Sequence, residues 1–321
     1  MGHPPVRVGG GYPGLVKDRY LNDLILSARE EETMGPFQPK FILCPTDFSE
    51  PATQALHYGK HLANCFDARL VVLYAEPFSP PPYFTSGQVE ELAKTIERFK
   101  GAAHEYLTRY VSEHIEDSSK VEMVVAENQA VSAILLTAEE KKVDLIVMGT
   151  HGRSGINRLM LGSVTERILH ETDRPILTVR EKKGRAEPSR VSIQKVLCPI
   201  NYTEVALKAL EHAVAISKCF GAELLVLHVI ESRSSDVKEE VEHGRLCAWV
   251  PSDIRSRCSL KEIVRRGDAA EEIVEVAQDE ASDLIVLGAQ HKRFSDTTVI
   301  GTTTVRVTRH APCPVLTVIR K

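Results

Sequence analysis

The sequence predicts an α/β protein made of two tandem, doubly wound, parallel-sheet domains. Three observations carry that expectation. The block Leu43-Cys-Pro-Thr-Asp-Phe-Ser-Glu50 aligns with Leu197-Cys-Pro-Ile-Asn-Tyr-Thr-Glu204 at an offset of 154 (197 − 43). The alignment runs without a gap to Val72-Leu73 and Val226-Leu227. A second block, Asp144-Leu-Ile-Val, aligns with Asp283-Leu-Ile-Val at an offset of 139 (283 − 144) and continues to Pro175-Ile-Leu-Thr-Val and Pro314-Val-Leu-Thr-Val. The second copy is therefore shorter by 15 residues (154 − 139), lost between its second and fourth strands. Finally, the apolar runs are short, rich in Val, Ile and Leu, and lack polar alternation. Strands of that kind are parallel and covered on both faces. Right-handed crossovers then wind helices onto both sides.

In the first copy the apolar runs place strands at about 40–45, 69–75, 120–126, 144–149 and 175–180. Helices fall between them at about 50–65, 87–115, 130–141 and 162–171. A chain of 321 residues suits two such units. The expected domains are 39–181 and 195–321, joined by a charged linker at 182–194 that contains Gly184, Pro188 and Ser189. Residues 1–38 do not repeat. Gly9-Gly-Gly and several prolines there suggest a flexible arm, with a short helix possible at 15–29. The charge runs Glu30-Glu31-Glu32 and Glu181-Lys182-Lys183 read as solvated surface or linker.

Composition excludes several classes. The net charge of −4 gives no electrostatic footprint for nucleic acid. No apolar run approaches the roughly 18 residues of a membrane span, and the start lacks the pattern of a signal peptide. The seven cysteines are odd in number and contain no C-x2-C pair, so neither a disulfide framework nor a structural zinc site is expected. Cys44 and Cys198 fall on strands, and Cys65 and Cys219 near helix ends. Most are expected to be buried, as in a cytoplasmic protein.

The stretch Gly149-Thr-His-Gly152-Arg-Ser-Gly-Ile-Asn-Arg-Leu-Met-Leu-Gly162-Ser163 carries the chemistry. It joins a buried strand, Leu145-Ile-Val-Met148, to the start of a helix. A strand, a glycine-rich loop and a helix start present backbone N–H groups to a phosphate. The loop lacks the lysine of a Walker loop, and its G-x2-G-x9-G-Ser spacing is not a dinucleotide fingerprint.

That spacing, with Asp144-Leu-Ile-Val-Met-Gly before it and Pro175-Ile-Leu-Thr-Val after it, resembles the universal stress protein family over 144–179. The resemblance extends to Ile42-Leu-Cys-Pro45-Thr46-Asp47-Phe-Ser. It implies a Rossmann-like fold of the adenine nucleotide alpha hydrolase type, with strand order 3-2-1-4-5. It also implies ATP, accompanied by Mg²⁺, as ligand, and a nucleotide-dependent role in stress response or signalling. Pairing through fifth strands is implied as well. Two halves in one chain can satisfy that pairing internally, and further homodimerisation is compatible with it.

In a sheet of that order the ligand lies beyond the C-terminal ends of strands 1 and 4. Pro45, Thr46 and Asp47 end the first; Met148 and Gly149 end the fourth. Asp47 can accept hydrogen bonds from ribose hydroxyls. The resemblance places the backbone around Thr46 and Ala75 at the adenine edge. Gly149 and Gly152 permit close approach to ribose and phosphate. Gly162, Ser163, Val164 and Thr165 form an anion site at the helix start. Arg153 either adds positive charge or faces water. Each residue also has a plainer role: loop glycines permit turns, and Asp47 or Ser49 caps the next helix.

The second copy departs from this pattern. Asn201 stands at the place of Asp47, His291 at that of Gly152, and Lys292-Arg-Phe-Ser-Asp296 at that of Arg153-Ser-Gly-Ile-Asn157; Gly288 and Gly301-Thr302-Thr-Thr304 are kept. Weak or absent ATP binding is expected there. His57 and His61 have i, i+4 spacing suited to a metal, yet no third ligand follows, and a solvated helix face is the simpler reading. The sequence offers no general base poised over a γ-phosphate, so at most slow ATP hydrolysis is expected. The rival readings are a nucleotide-independent scaffold, an ATP-dependent nucleotidyl- or phosphotransferase, and a flavin-binding flavodoxin-like protein. The short Pro45-Thr-Asp-Phe-Ser49 loop argues against the last.

Overall fold

The computed structural model describes residues 37–77, 86–152, 161–180, 191–231, 238–294 and 297–320, with backbone alone at 86–95, 291–299 and 320. The predicted N-terminal arm up to residue 36, Arg153 and most of the linker lie outside the described residues. The first repeat runs β1 (Phe41–Thr46), α1 (Glu50–Phe66), β2 (Arg69–Ala75), α2 (Ser86–His114), β3 (Val121–Ala126), α3 (Ala130–Glu140), β4 (Leu145–Gly149), α4 (Ser163–Glu171) and β5 (Ile176–Val179). The second runs β6 (Lys195–Ile200), α5 (Glu204–Phe220), β7 (Glu223–Glu231), α6 (Glu239–Trp249), α7 (Ser252–Arg255), β8 (Leu260–Gly267), α8 (Ala269–Asp279), β9 (Leu284–Phe294), β10 (Thr297–Ile300), α9 (Thr302–His310) and β11 (Val315–Arg320).

Local chemistry starts the helices where the sequence places them. Ser49 caps α1 by accepting the Ala52 N–H, and Pro51 occupies the first turn, where a missing N–H costs nothing. Thr203 caps α5 in the same way at Ala206. The recurring aspartate before β4 and β9 also has a structural task. Asp144 Oδ2 accepts the N–H groups of Lys40 and Phe41 at 2.7 and 3.0 Å; Asp283 Oδ2 accepts those of Gln194 and Lys195. Each carboxylate fixes the entry of the chain into the first strand of its repeat.

Ten strands follow the order β3-β2-β1-β4-β5-β11-β9-β6-β7-β8, with β10 hung on β9. Pairing is parallel within each repeat, apart from the antiparallel β9–β10 pair, and antiparallel where β5 meets β11, with Leu177 opposite Leu316. The first repeat therefore has the order 3-2-1-4-5, and the second is its mirror along the sheet. Strand alternation divides the core. Ile42, Cys44, Val147, Leu177, Val196, Val286 and Leu316 point to one face, into a cluster shared by both repeats and covered by α1, α2, α5 and α6. Leu43, Ile146 and Ile176 point to the other face, as do Leu197, Ile285 and Val315. Side chains reinforce the joint: Thr178 Oγ1 donates to the Val315 carbonyl, and Arg309 meets Glu166 at 3.0 Å.

Several expectations need correction. Cys65 and Cys219 are not buried thiols: Cys65 is exposed, Cys219 half-buried, and the two form a disulfide with Cα atoms 6.0 Å apart. They are equivalent positions of the two repeats, brought together by the internal two-fold axis, which local cysteine spacing does not reveal. Cys44, Cys198 and Cys313 are buried as expected. His57 is not on a solvated face. It is buried against the edge of the His114 ring, and burial, aided by His114 and His61, holds its imidazole down to about 4. No cluster of three metal-ligating side chains occurs among the described residues.

His212 is 5% exposed, stacks on Phe37 at 4.0 Å and donates from Nδ1 to the Lys208 carbonyl. Burial holds its imidazole down to about 4. The unfolded chain takes up this proton near pH 6.5, so the stabilisation is complete above about 6.5 and is lost as pH falls toward 4. Melting temperature should therefore fall between pH 6.5 and 4. His212→Phe should flatten that slope in thermal melts at pH 7 and pH 5.

Candidate nucleotide crevice

The C-terminal ends of β1 and β4 separate as their chains turn to opposite faces of the sheet, and a crevice of about 390 Å³ opens there. Pro45, Thr46, Asp47, Ala75, Met148, Gly149, Gly152, Gly162, Ser163, Val164 and Thr165 all line it. These are the residues selected from the sequence, apart from Arg153. Sequence reasoning missed Ala52, Leu73, Tyr74, Ala130 and Ile134; His151, which the sequence puts inside the glycine loop either near phosphate or at the surface, lines the crevice too. Ala130 and Ile134 come from α3, one turn apart. Their apolar i, i+4 spacing beside the strand ends was the available signal.

The crevice has an apolar wall and a polar end. Leu73, Ile134 and Met148 form the wall. At the opposite end α4 begins at Gly162 without a side-chain cap, leaving its first-turn amides to face the opening. Asp47 Oδ1 accepts from the N–H and hydroxyl of Ser49, at 3.1 and 2.5 Å. Asp47 thus braces the capping residue and is not itself the cap. Its Oδ2 faces Gly152, where an added β-carbon would lie 2.6 Å away.

The geometry revises three assigned roles. Thr165 is buried and its hydroxyl donates to the Gly149 carbonyl at 2.9 Å, tying α4 to β4. The Gly162 N–H is engaged by the Thr150 carbonyl at 2.8 Å, which leaves Ser163, Val164 and Thr165 to supply the helix-start amides. A β-carbon on Gly149 would lie 2.9 Å from the Pro51 backbone, so this glycine lets α1 pack closely on β4. Gly288 does the same in the second repeat, where its β-carbon would lie 2.7 Å from the Val205 carbonyl.

The second crevice is open too, at about 460 Å³, between Ile200 and Asn201 on one side and Gly301-Thr302-Thr303-Thr304 on the other. Its furniture differs. Asn201 Oδ1 accepts from Thr203 Oγ1 at 2.6 Å, and Val229 stands where the first repeat has Ala75. Of the run that replaces the glycine loop, Lys292 to Phe294 belong to a strand. β9 continues to Phe294 and returns as β10 in an antiparallel hairpin, with His291 opposite Ile300. The His291 side chain lies outside the described atoms.

A sheet of two mirrored 3-2-1-4-5 halves, each with a crevice at its switch point, defines a class of tandem doubly wound α/β proteins. The model of the universal stress protein family matches residues 39–180 and 192–318, and the chain belongs to that family. Universal stress protein MJ0531 of Methanocaldococcus jannaschii is 34% identical over 145 residues, covering 45% of this chain and 84% of its own length. The crystal structure of a universal stress protein from Archaeoglobus fulgidus superposes with a TM-score of 0.63 over 89% of this chain and all of its own, at 21% identity, a likeness of fold. A universal stress protein solved in complex with cAMP matches 41% of this chain at 18% identity, with a TM-score of 0.32. No helix among the described residues is long and apolar enough to cross a membrane.

Proposed function

We propose that residues 39–181 form an ATP-binding domain, that 195–321 form a partner domain with weak or no affinity for ATP, and that the chain works as a nucleotide-dependent switch in stress response. One observation carries the reading: the described residues chosen from the sequence, drawn from β1, β2, β4 and α4, meet around a single crevice. Their chemistry suits an adenine nucleotide. The apolar wall takes the base, Asp47 accepts from ribose, and the amides of Ser163, Val164 and Thr165 take phosphate. Among the described residues that line the crevice Asp47 is the one carboxylate, so Mg²⁺ would arrive with the triphosphate. Asn201, Val229 and the β9–β10 hairpin support the lower affinity of the second crevice. The antiparallel β5–β11 pair supports a pseudo-dimer within one chain, with the two halves as each other's partner.

Calorimetric titration of the full chain with Mg²⁺–ATP tests this. The expected stoichiometry is one. Two equivalent sites would contradict the assigned asymmetry, and no binding would favour the scaffold reading. In this proposal hydrolysis of ATP is at most slow.

A further inference from the structure

In a chain with an internal two-fold axis, a residue meets its own copy only where that axis passes. The β5–β11 joint is one such place. The C-terminal ends of α1 and α5 are another, and there Cys65 meets Cys219, its equivalent in the second repeat. The Cα separation of 6.0 Å lies inside the range a disulfide spans without backbone movement. The neighbouring packing holds the two ends in place. Phe66 follows Cys65 and meets Phe37 edge-on at 5.6 Å, and Phe37 stacks on His212 of α5.

We infer that Cys65 and Cys219 form a reversible redox staple, a disulfide that opens and closes in the folded protein and fastens α1 to α5 across the internal axis. Access supports reversibility. Cys65 is exposed and Cys219 half-buried, so soluble thiols and disulfides reach the pair, whereas Cys44, Cys198 and Cys313 are buried away from it. Opening the bridge does not part the repeats, because the β5–β11 ladder and the Arg309–Glu166 contact still join them. The bridge adds a covalent tie between the C-terminal ends of α1 and α5, helices that begin at the crevice turns, Asp47 to Ser49 and Asn201 to Thr203. The inference stands independently of what the crevices bind.

The chemistry balances with glutathione disulfide as oxidant. The Cys65 thiolate attacks one of its sulfurs and expels a glutathione thiolate, leaving a mixed disulfide. The Cys219 thiolate then attacks the Cys65 sulfur and expels the second glutathione. Two protein thiols are oxidised, one glutathione disulfide is reduced to two glutathiones, and the two protons pass to solvent and the leaving thiolates. Excess dithiothreitol reverses both steps.

The test takes the full chain, reduces it with dithiothreitol, and then exposes it to glutathione disulfide without denaturant. Unreduced peptide maps by mass spectrometry should show the Cys65 and Cys219 peptides linked within one chain, and native dithiothreitol should separate them. The oxidised form should melt about 5 °C or more above the reduced form. Cys65→Ser and Cys219→Ser should each abolish that difference, while Cys247→Ser and Cys258→Ser should keep it. A stable glutathione adduct without the bridge, a bridge between chains, a bridge opened only by denaturant, or equal melting temperatures would overturn the inference.

Discussion

Gly152→Val should reduce affinity for Mg²⁺–ATP by about 100-fold or more, equivalent to roughly 3 kcal/mol. A β-carbon at 152 lies 2.6 Å from Asp47 Oδ2, so even the first added atom drives into the carboxylate assigned to ribose. The branched valine then fills the mouth of the crevice. Stability should change little, because Gly152 is exposed and its added atoms meet no core side chain. That separation makes the variant informative: fold kept, ligand lost. Asp47→Asn is the milder companion, since it reproduces the residue of the second repeat. It keeps an acceptor but removes the charge, and about a 10-fold loss is expected. Titration calorimetry beside thermal melts checks both. Unchanged affinity in Gly152→Val would mean that ATP does not use this crevice.

Leu177→Ala should destabilise the protein by about 2–5 kcal/mol. Leu177 is 2% exposed, sits opposite Leu316 in the antiparallel joint, and packs in the cluster shared by both repeats. Removing its side chain leaves a void at the seam, where neither repeat can collapse alone. Because that cluster is continuous, residues 37–321 should unfold in a single transition, and the variant should shift that one transition downward. Denaturant unfolding followed by circular dichroism checks this. Two separated transitions, with only one moved by the substitution, would show that the repeats fold independently.

Much of this architecture is legible in the residues. The 154 and 139 offsets set out the repeat, and apolar runs such as Leu145-Ile-Val-Met148 lie where β4 is found. Crevice residues were recoverable because strand ends and a helix start carry local signals in glycine, proline and hydroxyl residues. What was hidden depends on contacts far apart in sequence. Cys65 finds Cys219 only through the internal axis. His57 is buried by α2, whose packing no helical spacing within α1 foretells. Gly149 lines the crevice, and its missing side chain also makes room for Pro51, a contact that no local pattern shows. The β9–β10 pairing was missed for a different reason: Lys292 and Arg293 are charged and carry no apolar strand pattern, while their pairing is set by the strand beside them.

Amide hydrogen exchange with and without Mg²⁺–ATP tests the central claim most directly. Protection should rise at the Thr46–Asp47 turn, at Gly149 to Gly152 and at the Ser163, Val164 and Thr165 amides, with little change at Asn201 or Thr302 to Thr304. Protection confined to the second crevice, or none in either, would contradict the assignment of the first repeat as the nucleotide site.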